Sequence, residues 1–321
     1  MPSRRDGGSD LHGILLVDKP PGWTSHDVVA KVRRLSGQRK IGHTGTLDPM
    51  ATGLLVLCLG DATRLVEYMS AHDKRYEGIV TLGTTTDSDD ADGAVIEQRP
   101  VPAIDEVTLE RAVSQLRGTI LQRPPAFSAM KKDGQRAYAI ARRGGDPGLG
   151  ERPVTVHDLV AARAGGVTIS LAVHCGPGTY VRSLARDLGE AIGCGAHLSA
   201  LRRTTVGGFD VANAFSMEQL EAAGAGRIEA LLAAPDEGIR QWPAALLGGR
   251  SACDFVHGTP LEAAWTGCAA DAGETMARVF TGDGLFAGVA QVARSGRIRP
   301  IKVMANAAQT ILMSLSDSEK A

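Results

Sequence analysis

The chain has few of the features that mark secreted, metal-binding or membrane-spanning proteins. Its five cysteines are an odd number without a C-x-x-C pair, and its eight histidines include no H-x-H or H-x-x-x-H spacing. These absences argue against a disulfide framework and against a zinc site. The longest aliphatic run, residues 54–59, is far too short to cross a bilayer, and the first residues lack the apolar segment of a secretory signal. We therefore expect a cytoplasmic protein with no metal site and no membrane contact.

What is present is an ordinary globular composition with unevenly distributed charge. At 321 residues the chain is longer than one domain usually grows, so we expect one large core and a smaller module. The net charge of −1 argues against non-specific coating of nucleic acid. Residues 117–143, however, hold seven basic side chains against one acid, whereas residues 87–106 hold seven acids against one arginine. Such blocks are typical of solvated loops, and a local phosphate-binding surface is the alternative.

Hydrophobic periodicity predicts an α/β chain. An apolar strand from residue 13 leads into a helix that begins after a capping box of Thr24 and Asp27 and ends at Gly37. Asp61 is predicted to cap a second helix and Thr179 a third. Alternating segments around residues 76–82 and 167–175 predict strands.

The composition changes along the chain and suggests domain boundaries. The region of residues 221–250 is rich in Ala, Gly and Pro, and short strand-like pieces separated by glycine turns follow it. This pattern predicts a main domain over residues 10–235 and a small β-rich module over 236–310. Residues 1–9 and 311–321 are predicted to be disordered tails.

Three side chains are candidates for chemistry. Asp48 carries the only formal charge between residues 41 and 60, and an isolated carboxylate at the edge of a core needs a partner. Its alternative role is that of a turn former before proline. Arg182 lies in the first turn of a predicted helix, where the macrodipole disfavours a cation, so it is either paired with an anion such as Asp48 or an ordinary surface arginine. Tyr76 is either a core residue or a platform on which a base stacks.

Motifs in five regions, in order from residue 13 to residue 203, resemble the TruB-type tRNA pseudouridine synthases. They read VDKPPGWTS, GHTGTLDPMATGLL, DKRYEG with TDSDDADG, GTYVRSLARDLG and GCGAHLSALRR. The resemblance implies an enzyme that converts uridine 55 in the T loop of tRNA to pseudouridine without cofactor or metal. It also implies a catalytic domain with an antiparallel central sheet over 10–235 and a PUA-like RNA-binding domain over 236–310.

The resemblance further implies roles for individual residues. In the motifs as they stand here, Asp48 is the catalytic aspartate, Tyr76 stacks on the target base, Arg182 pairs with Asp48, and Asp90 joins that arginine in a charge network. The residues implied around the substrate are His43, which fills the space left by the flipped uridine, Tyr180 and Leu201, which enclose the base, and Lys19, which supports the architecture of the site.

With this family in view, the basic segment becomes a candidate loop that grips the T-arm backbone through Lys131, Lys132 and Arg136. We expect tRNA as the partner of a monomer that needs no other protein. Two other functions remain open at this point: a catalytically silent tRNA-folding chaperone on the same scaffold, and an N-glycosidase that releases uracil.

Overall fold

The computed structural model describes residues 10–128, 130–132, 134–262 and 274–318, so the predicted tail over residues 1–9 lies outside the described part. The helices are α1 (Ser25–Ser36), α2 (Val66–Ser70), α3 (Glu106–Ser114), α4 (Ala137–Ala141), α5 (Val181–Ile192), α6 (Met217–Ala223), α7 (Gly249–Val256) and α8 (Ala305–Ser318). Within the described ranges, no helix has both the length and the apolar character needed to span a bilayer.

The strands form a large sheet and three smaller ones. They are β1 (Gly13–Lys19), β2 (Ile41–His43), β3 (Thr52–Leu59), β4 (Lys74–Leu82), β5 (Thr84–Thr86), β6 (Val95–Gln98), β7 (Gly118–Gln122), β8 (Lys131–Lys132), β9 (Gln135–Arg136), β10 (Arg152–Gly165), β11 (Thr168–Cys175), β12 (Ala196–Val206), β13 (Phe209–Asp210), β14 (Ala244–Leu247), β15 (Thr275–Thr281), β16 (Phe286–Val292) and β17 (Ile298–Val303).

The large sheet confirms the predicted α/β fold with a mostly antiparallel central sheet. Its main path runs β1-β3-β12-β4-β11-β10-β7, and along this path only the β3–β12 contact is parallel. Buried residues of α3 and α5, among them Leu109 and Leu184, share one core with inward residues of β4 and β11 such as Val80 and Leu171. Since β4 begins where β11 ends, the loops at this end of the sheet lie side by side.

Two of the predicted helix caps are wrong. The capping box of Thr24 is confirmed, and Gly37 ends α1 in a left-handed conformation. Asp61, however, lies inside a 3₁₀ helix, where its carboxylate accepts a hydrogen bond from the backbone N–H of Asn306 at 2.9 Å. The N-cap residue of α5 is Tyr180, and the hydroxyl of Thr179 donates to the Gly176 carbonyl of the preceding turn at 3.1 Å instead of capping the helix.

The β-rich C-terminal module packs against the main sheet. Its four strands run in the order β14-β15-β16-β17, and one apolar core joins Ile14 and Leu54 of the main sheet to Phe255 and Val289 of the module. This core spans the predicted boundary between residues 235 and 236.

The predicted tail over residues 311–321 is wrong as far as residue 318. Helix α8 extends through Ser318, and the Ile311 side chain is buried in the core of the module. This apolar contact stabilises the helix. The polar residues after Ser314 gave no indication in the sequence that the segment packs against the core. Residues 319–321 lie outside the described part of the chain.

Candidate active site

Asp48 lies on a loop between β2 and β3 that is fixed by buried side chains. The hydroxyl of Ser25, at the start of α1, donates to the Leu47 carbonyl at 3.1 Å and accepts from the Leu47 N–H at 2.8 Å. The Lys19 ammonium donates to the Pro49 carbonyl at 3.1 Å, so the residues on both sides of Asp48 are held in place. The carboxylate is therefore presented on a rigid loop.

Arg203 also holds this loop, and the sequence analysis missed it. Its guanidinium is 1% exposed and donates from Nε to the Leu54 carbonyl at 2.7 Å and from an Nη to the Gly45 carbonyl at 3.0 Å. The available signal was its place in β12, two residues after the buried Leu201 and therefore on the inward face. A charged residue at an inward position needs partners, and here these are backbone carbonyls.

Arg182 joins the two predicted carboxylates. One Nη lies 3.0 Å from Asp48 Oδ1, Nε lies 2.9 Å from Asp48 Oδ2, and the other Nη lies 3.2 Å from Asp90 Oδ2. The guanidinium also donates to the carbonyls of Ser88 and Phe127 at 2.8 and 2.9 Å. The residue is only 3% exposed, so the alternative of an ordinary surface arginine is wrong.

The surroundings of Asp48 change its acidity. Desolvation raises the pKa of the Asp48 carboxyl above its ordinary value, Arg182 opposes this rise, and the negative charge of Asp90 adds to it. The arginine alone therefore does not decide the ionisation of Asp48, because desolvation has the larger effect on its pKa. A carboxylate with a raised pKa holds a proton more tightly and is a stronger base than one in water.

Six of the predicted site residues meet in one cleft of about 440 Å³, whereas Asp90 contacts Arg182 from outside its lining. Besides Asp48 and Arg182, the residues from the predicted set that line it are His43, Tyr76, Tyr180 and Leu201. Burial raises the pKa of the Tyr76 phenol and lowers that of the His43 imidazole, so both are neutral at pH 7. Within the described part of the chain, His43 Nδ1 is buried without a hydrogen-bond partner. The cleft combines a flat aromatic side chain with a paired carboxylate at a size suited to a small planar ligand.

Two further residues, Gln122 and Arg152, orient Tyr180. No motif in the sequence marks either of them as part of the site. The side-chain amide of Gln122 donates to the Tyr180 carbonyl at 3.1 Å and accepts from the Tyr180 N–H at 2.9 Å. The guanidinium of Arg152 lies 5.2 Å from the centre of the tyrosine ring. These contacts link the edge strand β7 and the start of β10 to the wall of the cleft.

Lys19 supports the site without lining the cleft. The residue is fully buried, and its ammonium donates to the carbonyls of Pro20, Trp23 and Pro49. Desolvation lowers the pKa of Lys19 to about 8. These contacts agree with the architectural role predicted for Lys19, whereas its grouping with the substrate-binding residues stays a prediction.

Of the basic residues predicted for the gripping loop, Arg136 is not among the residues that line the cleft. Residues 131–132 pair with 135–136 as two short strands, and Arg136 is exposed. The side chains of Lys131 and Lys132 lie outside the described part. The same segment approaches the cleft at Phe127 and Ser128, which are among its lining residues.

Comparison with known proteins identifies the family. Residues 33–181 match the model of the TruB family pseudouridylate synthase N-terminal domain, and residues 182–233 match that of the tRNA pseudouridylate synthase B C-terminal domain. The tRNA pseudouridine synthase B of Stutzerimonas stutzeri (strain A1501) is 43% identical over 299 residues, which cover 92% of this chain and 96% of the relative. That of Arthrobacter sp. (strain FB24) is 51% identical over 216 residues, which cover 65% and 71%.

The fold is also similar to solved structures of more distant sequence. A chain of a Cbf5-Nop10-Gar1 complex matches with a TM-score of 0.70 at 22% identity, over 92% of this chain and 85% of that one. A chain of an H/ACA RNP bound to a substrate RNA containing 2′-deoxyuridine matches with a TM-score of 0.68 at 20% identity, over 94% and 92%. On the sequence matches, this chain belongs to the TruB family of pseudouridine synthases.

Proposed function

We propose that the protein isomerises uridine 55 in the T loop of tRNA to pseudouridine, with Asp48 as the essential group. The observation that carries the proposal is the contact of Asp48 with the buried Arg182 in a cleft that also presents Tyr76. The family membership and the names of the relatives support tRNA as the substrate.

The chemistry needs a carboxylate and no external reagent. The C1′–N1 bond breaks, the uracil turns, a C1′–C5 bond forms, and the proton on C5 is lost while N1 gains one. Positive character develops at C1′ while the detached base carries negative charge. Asp48 can attack C1′, stabilise it electrostatically, or remove a proton from C2′, and all three routes use an ionised carboxylate held beside the sugar. Arg182 orients that carboxylate, while Asp90 and two carbonyls orient Arg182.

The target base has to leave its stack to reach this cleft. Flipping a nucleotide costs a few kcal/mol, and stacking on an aromatic side chain returns about 1–3 kcal/mol per base. Tyr76 is the stacking platform in this proposal, and Tyr180 and Leu201 enclose the base. His43, neutral because of its burial, occupies the space that the base leaves.

The protein binds the T-arm stem-loop as a monomer in this proposal, with the basic segment on the RNA backbone. The exposed Arg136 and its neighbours Lys131 and Lys132 contact phosphates, and the C-terminal four-stranded sheet serves as a PUA-like RNA-binding domain. Replacing the three basic residues by glutamine is expected to flatten the salt dependence of tRNA binding, by up to about 0.9 log units per lost contact. An unchanged slope would contradict this role.

The decisive experiment measures tritium release from a T-arm stem-loop labelled at C5 of the target uridine. Wild type is compared with Asp48→Asn, and RNA binding of both proteins is measured in parallel. Asp105→Asn is the matched control, because Asp105 is an exposed helix cap and asparagine caps equally well. We expect release by wild type and the control, and RNA binding without release by Asp48→Asn.

Other outcomes would identify a different function. A wild type that binds RNA and releases no tritium, even from full-length tRNA, would favour a tRNA-folding chaperone. Free uracil in solution would favour an N-glycosidase. Equal release by Asp48→Asn would remove Asp48 from the chemistry.

A further inference from the structure

We propose that Asp73, His157 and His174 form a binding site for a divalent transition-metal ion of the Zn²⁺ class. These residues lie outside the cleft, and His174 lies on the face of β11 opposite the residues that pack against α3 and α5. The site is independent of the proposed reaction.

The three side chains are brought together by neighbouring strands. His174 is the penultimate residue of β11, and its partner on β10 is Asp158. Because β10 carries a bulge between Val156 and Asp158, His157 is an extra residue whose side chain is directed toward His174. The two imidazole rings are 4.7 Å apart at their centres, with 42° between their planes. Asp73 directly precedes β4, the other neighbour of β11.

The donor atoms have the spacing of metal ligands. Nε2 of His157 lies 3.2 Å and Nε2 of His174 lies 3.8 Å from the same oxygen, Oδ2 of Asp73. The ligand atoms of the three residues all lie within 4.8 Å of one another. A tetrahedral ion with bonds of about 2.1 Å has ligands about 3.4 Å apart, which falls between the two measured distances. Small side-chain rotations therefore complete the coordination.

A simple ion pair explains the arrangement less well than a metal ion. An ion pair needs only the Asp73 carboxylate and the His157 imidazole. Nε2 of His174 also lies near the same Asp73 oxygen, at 3.8 Å, which is too far to form a hydrogen bond. Two imidazoles and one carboxylate are a ligand set that suits zinc and its neighbours in the first transition row, whereas magnesium prefers oxygen ligands.

The backbone around the ligands is ordered, and one side of the site is open. The Asp73 carbonyl accepts from the Gly207 N–H at 2.9 Å, and the Gly176 N–H donates to the Thr155 carbonyl at 2.8 Å beside it. The side chains of Asp73, His157 and His174 are 46%, 39% and 25% exposed, so water can supply the remaining coordination positions. Ligands on fixed strands lose little freedom when they bind an ion.

Another pair of side chains of metal-ligating type could also bind the added metal ion, so the experiment needs a control for it. Cys253 and His257 lie one turn apart on and just after α7, with Sγ and Nδ1 3.6 Å apart. This pair supplies two ligands, one fewer than the proposed site. A protein without it, Cys253→Ala/His257→Ala, keeps the proposed site intact.

The test is a calorimetric titration of the metal-free protein with ZnCl₂, together with the visible absorption of its Co²⁺ complex. We expect one equivalent of tight binding in wild type and in Cys253→Ala/His257→Ala. His157→Ala and His174→Ala are expected to weaken this binding by about tenfold or more, and MgCl₂ to give no comparable binding. Melting temperatures without metal check that each variant is folded, and His157 is exposed enough for its loss to be tolerated.

Three results would overturn the proposal. They are absence of stoichiometric Zn²⁺ binding by wild type, unchanged binding by folded His157→Ala, and loss of binding confined to Cys253→Ala/His257→Ala. A rise in melting temperature with ZnCl₂ that disappears in His157→Ala would support the site by an independent measurement.

Discussion

Replacing Arg182 by lysine tests whether the shape of the guanidinium, and not just its charge, organises the cleft. The arginine reaches Asp48 and Asp90 with different nitrogens and donates to the carbonyls of Ser88 and Phe127. A lysine has a single ammonium, which can approach one carboxylate closely but cannot reach all four groups.

The expected loss of stability follows from these contacts. A hydrogen bond to a charged group contributes about 1.5–3 kcal/mol, and breaking a buried ion pair costs about 3–5 kcal/mol. We expect Arg182→Lys to lower the free energy of unfolding by about 3–5 kcal/mol, which is a fall in melting temperature on the order of 10 °C. Arg240→Lys is the control, because Arg240 pairs with Glu237 on the surface and such pairs contribute about 0–1 kcal/mol.

The catalytic effect is measured by single-turnover tritium release. Since a misoriented Asp48 loses stabilisation of the transition state and not RNA contacts, we expect the rate to fall about 10²–10³-fold while the dissociation constant for RNA stays close to that of wild type. Wild-type stability and rate in Arg182→Lys would refute this account of the arginine.

A double-mutant cycle separates the Arg182–Asp90 pair from the rest of the network. With methionine at 182, the carboxylates of Asp48 and Asp90 remain together without their shared cation. We therefore expect Arg182→Met/Asp90→Asn to be less destabilised than the sum of its two single variants, by about 1–3 kcal/mol in denaturant titrations. Additive effects would mean that Arg182 and Asp90 do not interact.

Three further predictions concern the rest of the site. The pKa of Lys19 in the folded protein is about 8, below the 10.5 of an unperturbed lysine. Between pH 8 and 10.5 the unfolded chain keeps the Lys19 proton that the folded protein has lost, so the free energy of unfolding rises with pH over this range, by at most about 3 kcal/mol, and this gain is lost as the pH falls. Lys19→Met should flatten this pH dependence of the free energy of unfolding. The same pH dependence in wild type and Lys19→Met would contradict the prediction. Gly53 has φ +97°, and an added Cβ would lie 2.3 Å from the Arg203 carbonyl oxygen, whereas Gly22 has φ +77° and open space. In denaturant titrations Gly53→Ala should lower the free energy of unfolding by at least about 2 kcal/mol more than Gly22→Ala. Equal losses would show that β3 and β12 move apart easily to make room for the added methyl group. Tyr76→Leu should slow single-turnover tritium release about 10- to 100-fold through lost base stacking while Tyr76→Phe keeps most of the rate; the reverse order would assign the function of Tyr76 to its hydroxyl.

Local sequence patterns predicted several elements because short-range physics controls them. The capping box at Thr24 and the glycine at position 37 mark the ends of α1, since both motifs act on the hydrogen bonds of a single helical turn. Alternation of apolar residues likewise marked β4 and β11. Where a distant partner intervened, as Asn306 does at Asp61, the local pattern led to a wrong assignment.

The sequence by itself determined which residues could form the site, through motifs around Asp48, Tyr76, Asp90 and Arg182. The tertiary structure alone decided how those residues are supported. Arg203 lies 158 residues from the Gly45 carbonyl that it holds, and no spacing rule connects them.

The same reason explains the features that no sequence pattern indicated. Asp73, His157 and His174 share no short spacing, because a strand order and one extra residue in β10 bring them together. Helix α8 is stabilised by burial of Ile311 in the core and not by the composition of its last residues. Contacts between distant segments depend on sheet order, bulges and shared cores, which only the folded chain defines.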